Sequence, residues 1–163
     1  MSGDVLTKEA LMQRAVAAAA RGMTDGRGGP FGAVIARNGN VIAEGANRVV
    51  RDKDPTAHAE ICAIREACRL LDAHVLKGCE IFATCEPCPM CLSAIYWARI
   101  DRIYFAATRE DAARIGFDDA AIYREVAAAP EDPNRQVPTN QVQSPEALHL
   151  FEQWQSMKNK VRY

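Results

Sequence analysis

Apolar positions recur at helical spacing over residues 6–21. Leu6, Ala10, Leu11, Met12, Ala15, Val16 and Ala19 fall near one side, and Lys8, Arg14 and Arg21 lie elsewhere, which predicts a first helix. A glycine-rich stretch, Gly22 to Gly32, follows. No Gly-Lys-Ser or Gly-Lys-Thr comes after it, so it reads as tight backbone turning before a strand and not as a phosphate cradle. Phe31 to Arg37 is a short, mostly apolar strand. Asn38-Gly39 is a hairpin turn signal, and Val41 to Asn47 returns as the second strand. Residues 48–55 read as charged loop. Thr56 is placed to cap a helix over 57–71 that turns Ile61, Ile64, Ala67, Cys68 and Leu71 inward. Glu80 to Thr84 is a third strand, Cys88 to Arg99 a helix, and Arg102 to Ala107 a fourth strand. A short helix is expected at 110–115, and a turn or helix after Asp118.

The pattern changes near Ala129. Pro130, Pro133, Pro138 and Pro145 punctuate a polar segment, and a last helix over 145–159 carries Leu148, Phe151, Trp154 and Met157 as an apolar stripe. That stripe needs a surface to cover it, in its own core or on a partner subunit. The expected division is a core domain over 1–129 and a C-terminal arm and helix over 130–163. Strands alternating with helices after an opening hairpin predict a three-layer α/β/α sandwich with a mixed sheet.

Composition narrows the picture only modestly. The 163 residues fit one domain able to bury roughly 70% of its unfolded surface. Lys and Arg number 20 against 21 Asp and Glu, so no broad basic field marks nucleic acid as the main ligand. No apolar run approaches the roughly 20 residues that span a bilayer, and the N-terminal residues Asp4, Lys8, Glu9 and Arg14 lack a signal-peptide layout. A cytoplasmic location is expected, in which the six cysteines stay reduced, packed or metal-bound. Cys62, Cys68 and Cys79, set among apolar neighbours, read as small buried hydrophobes.

The chemistry gathers in two fragments, Pro55 to Glu60 and Thr84 to Cys91. Pro87 and Pro89 are tolerated in a helix's first turn, so Cys88 and Cys91 belong at a helix N-terminus, on one face three residues apart. Together the fragments match the His-x-Glu and Pro-Cys-x-x-Cys signature of zinc nucleobase deaminases. Neutral imidazole and thiolate are good zinc donors. His58, Cys88 and Cys91 make three ligands and leave a fourth position for water, the pattern of a catalytic zinc, which lowers the pKa of bound water toward neutrality. His58 and Glu60 diverge on a helix body, so both reach one metal only from a helix end. Two helix N-termini would then favour ionised sulfurs. Glu60 is not needed as a ligand and can carry protons. Cys85, three before Cys88, leaves open a closed Cys₃His structural site, with a place facing the core as the alternative. His74 and His149 read as surface or capping residues.

These residues resemble the cytidine-deaminase-like superfamily. Gly28 to Ile35, Asp54 to Glu60, Cys85 to Cys91, Ala94 to Arg99 and Ile115 to Asp119 together resemble bacterial guanine deaminases, from about residue 8 to Tyr163. The resemblance implies a mixed, mainly five-stranded sheet and zinc held by His58, Cys88 and Cys91, with Glu60 as proton shuttle. It implies that Asn47 and the backbone amide of Ala59 hydrogen-bond the purine edge, that Phe31 and Trp97 pack on the ring, and that Asp119 faces the amino side. It also implies a homodimer whose C-terminal arms are exchanged, with Tyr163 closing the neighbouring site. The residue chemistry agrees in part. Guanine offers an amino group and a ring N–H, a carboxylate only accepts, and an apolar slot suits a purine face. The bland alternatives are a turn cap at Asn47, core packing at Phe31 and Trp97, a solvated turn at Asp118-Asp119 and a frayed end at Tyr163.

The expected activity is zinc-dependent hydrolysis of guanine to xanthine and ammonia, with no nucleic acid or membrane partner. Competing readings are a tRNA adenosine deaminase, a guanosine or cytosine deaminase of the same superfamily, and a non-catalytic zinc-stapled module.

Overall fold

The computed structural model describes residues 5–26 and 28–162. The role expected of Tyr163 therefore lies outside the described residues. The chain forms two compact units that divide after Ala120.

The first unit is built on the hairpin. Asn38 and Gly39 both take positive φ, 50° and 72°, as a two-residue turn between right-twisted strands requires. The turn joins β1 (Gly32–Arg37) to β2 (Asn40–Ala46), pairing Arg37 with Asn40. β3 (Glu80–Cys85) lies antiparallel to β1 on its other side, and β4 (Arg102–Ala107) runs parallel to β3. The order is β2-β1-β3-β4. The sheet is mixed, as expected, but has four strands among the described residues and not five. The chain after β4 turns into short helices, and no further described segment joins the ladder.

β1 is central and buried on both faces, so its alternating side chains feed two cores. Val34 and Ala36 join Phe82 against Leu11 and Ala15 of α1 (Lys8–Thr24). Ala33 and Ile35 join Ile81, Ala59, Ala63, Ala67 and Ile95. These come from β3, from α3 (Ala59–Leu71) and from α4 (Pro89–Trp97), the last being the crossover between the parallel strands. The result is helix, sheet, helix.

Two glycines set how closely the helices approach. A Cβ on Gly32 would stand 2.1 Å from the Ala15 carbonyl oxygen, and one on Gly45 would stand 2.2 Å from that of Ala59. Backbone cannot retreat as a side chain can. Gly45→Ala is expected to cost about 1–3 kcal/mol by overpacking. For a chain of this size that lowers the melting temperature by about 2–12 °C. An unchanged thermal melt would show that α3 does not depend on this contact.

Several local expectations are corrected. The charged loop after β2 contains a single helical turn, α2 (Val49–Asp52), with Arg48 at its N-cap and the Asn47 side chain just ahead of it accepting the Val49 N–H at 3.2 Å. Thr56 does not cap α3. Its N–H and hydroxyl donate to Asp54 Oδ1 instead, and the capping position falls on His58. Cys62 and Cys79 are buried as expected, whereas Cys68 is half-buried at the rim of the core.

Beyond β4 come α5 (Arg109–Arg114), opened by a Thr108–Asp111 capping box, and α6 (Ala120–Ala127). In the second unit, Arg135 donates to the Glu125 and Ala129 carbonyls, which fastens the proline-rich segment back on the end of α6. α7 (Pro145–Ser156) is capped by Ser144 and leaves Leu148, Phe151 and Trp154 exposed. No helix among the described residues is long and apolar enough to cross a membrane.

Candidate active site

Strand directions bring the chemistry to one end of the sheet. β1 runs opposite to β2 and β3, so the start of β1 lies beside the ends of its neighbours, and β4 finishes at the same end as β3. Phe31 precedes β1, Asn47 follows β2, Cys85 ends β3, and Thr108 follows β4. Backbone bonds fix this end. The Asn47 N–H donates to the Phe31 carbonyl at 3.0 Å, and the Gly32 N–H to the Thr84 hydroxyl at 3.0 Å. A crevice outside the carboxyl ends of parallel strands is where α/β sheets bind ligands.

Two helices begin there. His58 is the N-cap of α3 and Cys88 the N-cap of α4, and neither helix has a side-chain cap. His58 Nδ1 lies 3.6 Å from both Cys88 Sγ and Cys91 Sγ. A tetrahedral zinc with ordinary Zn–N and Zn–S bonds needs an N···S edge of about 3.6 Å. The donor set therefore fits Zn²⁺ in chemistry and in spacing, and it supplies three ligands, as a catalytic zinc requires.

The electrostatics suit a cation. The Cys88 thiol is drawn down to about 4, first by the hydrogen bond from Cys91 and then by the His58 ring. Cys91 correspondingly keeps its proton, because the thiolate beside it and its own burial oppose a second negative charge. The His58 imidazole is raised, chiefly by its bond to Cys88. Two helix N-termini add partial positive charge beside the sulfurs. Zn²⁺ held by His58, Cys88 and Cys91 would favour both sulfurs as thiolates.

Glu60 is 7% exposed, and burial raises its carboxyl above the usual range. It stands within the influence of Cys88 and Cys91 without belonging to the ligand group. Cys85 is also outside that group. It is half-buried and not in the core, its sulfur lies 3.6 Å from the Thr108 carbonyl, and its thiol is pushed up to about 11 by burial and then by the charge of Glu60. The Cys₃His alternative is thus not formed among the described residues.

Around the cluster, Asn47 is 5% exposed and Ala59 is fully buried in the first turn of α3. Asp119 is partly buried and its carboxyl is raised, by burial first and then by the charge of Cys88. Phe31 packs edge-on against Phe117, with ring centroids 4.9 Å apart. Trp97 is not among these residues: it is the last residue of α4, about 13 Å along the helix from Cys88, and is 66% exposed, which removes the core-packing alternative for it. His149 is a surface residue bonded to Glu152 and Gln153.

Sequence reasoning missed two supporting residues. Phe117 makes the apolar wall with Phe31, and an aromatic between Gly116 and Asp118 was its signal. Gly28 lies so close to Asn47 that a Cβ there would stand 2.0 Å from Oδ1. No one-dimensional pattern announces that contact.

Residues 6–107 match the cytidine and deoxycytidylate deaminase zinc-binding region. The chain is 48% identical to the guanine deaminase of Bacillus subtilis over 158 residues, which is 97% of this chain and all of that protein. The X-ray structure of that enzyme superposes with a TM-score of 0.92, covering 97% of this chain and 99% of its own. The guanine deaminase of Nitrosomonas europaea is 34% identical with a TM-score of 0.67, over 71% of this chain and 66% of that one. Similarity to a tRNA-specific adenosine deaminase of Aquifex aeolicus reaches 49% but spans 78 residues, 48% of this chain and 52% of that protein. With a fold, a donor set and a family match that coincide, the chain belongs to the cytidine and deoxycytidylate deaminase family of zinc-binding enzymes.

Proposed function

We propose that the protein is a guanine deaminase, hydrolysing guanine to xanthine and ammonia. The observation that carries this reading is the similarity to a guanine deaminase over 97% of the chain, C-terminal unit included, where the similarity to the Aquifex tRNA deaminase is confined to about half. The experiment is ammonia release from guanine, guanosine, adenine, cytosine and tRNA by zinc-loaded protein. Turnover of guanine well above the others is expected. Inosine formation in tRNA with salt-sensitive binding would replace the reading.

His58, Cys88 and Cys91 would hold the zinc, which when bound supplies Lewis acidity and an acidified water. Glu60 has the burial expected of a proton carrier. It accepts a proton from the attacking water and passes it to the ring nitrogen beside C2, then takes the second proton from the oxygen now on C2 and delivers it to the departing amine. The water oxygen stays on C2 and nitrogen leaves as ammonia. Asn47 and the Ala59 amide hold the purine edge, and Phe31 and Trp97 flank the ring. Asp119 accepts from the amino group that leaves. Asp119→Ala is accordingly expected to lower kcat/KM for guanine at least about tenfold, a loss of about 1.4 kcal/mol, with zinc content unchanged. Unchanged kinetics would leave Asp119 a solvated turn residue.

The protein acts as a homodimer in which the arm over 130–163 crosses to the partner and Tyr163 closes the neighbouring site. The exposed stripe of Leu148, Phe151 and Trp154 on α7 supports a covering surface of this kind. Sedimentation at micromolar concentration is expected to give twice the chain mass, and a monomer would contradict it. A cytoplasmic location agrees with six unpaired cysteines.

A further inference from the structure

At the outer edge of the sheet, α1, β2, α2 and α3 line a cavity of about 470 Å³ whose lining includes none of His58, Cys88 and Cys91. Five arginines line it: Arg21 from α1, Arg48 and Arg51 from the α2 segment, and Arg65 and Arg69 from α3. Two carboxylates, Glu44 and Glu66, lie among them. In a chain whose formal charge is −1, this is a local concentration of cations that the sequence average hides.

The arginines are only partly satisfied. Arg21 pairs with Glu44 at 3.0 Å and Arg69 with Glu66. Arg48 and Arg51 share the single carboxylate of Asp52, and Arg65 meets Asp54 at 3.4 Å. A guanidinium has five N–H donors, so one carboxylate leaves most of them over. Arg48 is the clearest case. Its Nε is buried and lies 3.3 Å from Asp52 Oδ2, yet makes no hydrogen bond of good geometry. Four carboxylates, Glu44, Asp52, Asp54 and Glu66, meet these five guanidiniums, so the group keeps an excess of one positive charge and N–H donors that an entering anion can take. Among the described residues β2 is an outer strand of the sheet, and its Glu44, Gly45 and Ala46 line the cavity.

We infer that this cavity binds a small molecule bearing two or more linked phosphates. A carboxylate or a single phosphate would engage two or three of the five forks, whereas a polyphosphate spans them. Arginine forks match phosphate oxygens in pairs. The cavity's size suits a compact ligand. Its arginines converge from three helices around a hollow, whereas a strand of RNA asks for a track along a surface. The same chemistry is carried by a nucleoside triphosphate and by free polyphosphate.

The test is isothermal titration of the full-length, zinc-loaded protein at low ionic strength with inorganic tripolyphosphate, a nucleoside triphosphate and the matching nucleoside. Saturable binding of the phosphates, one per chain, and none of the nucleoside is expected. Arg51→Gln/Arg69→Gln should weaken it at least about tenfold, the order expected for charge-assisted pairs. Both positions lie outside the zinc cluster, so chelation of zinc by phosphate would be equal in the two proteins and cannot produce the difference. Equal affinity for the two phosphates upholds the site as one for free polyphosphate, and tighter nucleotide binding upholds it as one for a nucleotide. If the double variant does not fold, Arg69→Gln alone serves, since its ion-pair partner Glu66 lies on the same helix. No saturable binding, an affinity that the substitutions leave unchanged, or much tighter binding of single-stranded RNA through the same arginines would overturn the inference.

Discussion

Cys88→Ser is expected to bring zinc content well below one per chain and to lower guanine turnover at least about 10³-fold, about 4 kcal/mol of transition-state stabilisation. The substitution alters little in volume but replaces a thiol that ionises readily with a hydroxyl that does not. His58 Nδ1 stands 3.6 Å from Cys88 Sγ and from Cys91 Sγ, so losing one sulfur removes one corner of a three-cornered site. Two ligands do not hold zinc against water and buffer as three do. A fall in melting temperature accompanies the loss, because a metal bound only by the folded state stabilises it. Metal analysis with a thermal melt checks both effects. Full zinc content in the variant would remove Cys88 from the ligand set.

Glu60→Gln is expected to behave oppositely in one respect. Zinc content stays at the wild-type level, because the carboxylate is not among the clustered donors. Turnover falls at least about 100-fold, the scale of general acid–base groups. The carboxamide keeps the shape of the buried side chain and cannot accept and return a proton. Its effect therefore falls on kcat and not on metal affinity. Measuring kcat, KM and zinc content together separates the roles. Near-normal kcat would take the proton-carrying role from Glu60, and zinc loss comparable to that of Cys88→Ser would make it a ligand.

Legibility in the sequence varies by residue. The metal fragments are readable because their geometry is local. Proline permits a helix start at Cys88, and thiols three apart share a face wherever that helix lies. The hairpin at Asn38-Gly39 is readable for the same reason, since positive φ at two successive residues selects those side chains. Contacts between distant segments are not readable. Gly45 is an ordinary strand residue until α3 presses on it, and Gly28 is an ordinary loop glycine until Asn47 folds against it. Spacing alone assigns the cap of α3 to Thr56, but Asp54, two residues earlier, takes its donors. The arginines of the edge cavity are spread from residue 21 to residue 69, and only the packing of α1 and α3 around β2 gathers them. Charge balance across the whole chain conceals them.

Cys85 shows the limit of spacing as a guide. Its separation from Cys88 equals that of Cys88 from Cys91, so the sequence allows a third sulfur on the metal. The structure separates them by secondary structure. Cys85 is the last residue of β3, while Cys88 opens α4 after Glu86 and Pro87 have turned the chain. That turn keeps Cys85 out of the donor group formed by His58, Cys88 and Cys91.

The most direct measurement is zinc X-ray absorption on the metal-loaded protein without substrate. Two sulfur neighbours at about 2.3 Å and two lighter ones at about 2.0–2.1 Å, one an imidazole nitrogen and the other a solvent oxygen, are predicted. Three sulfur neighbours, or a fourth position filled by protein, would contradict the account.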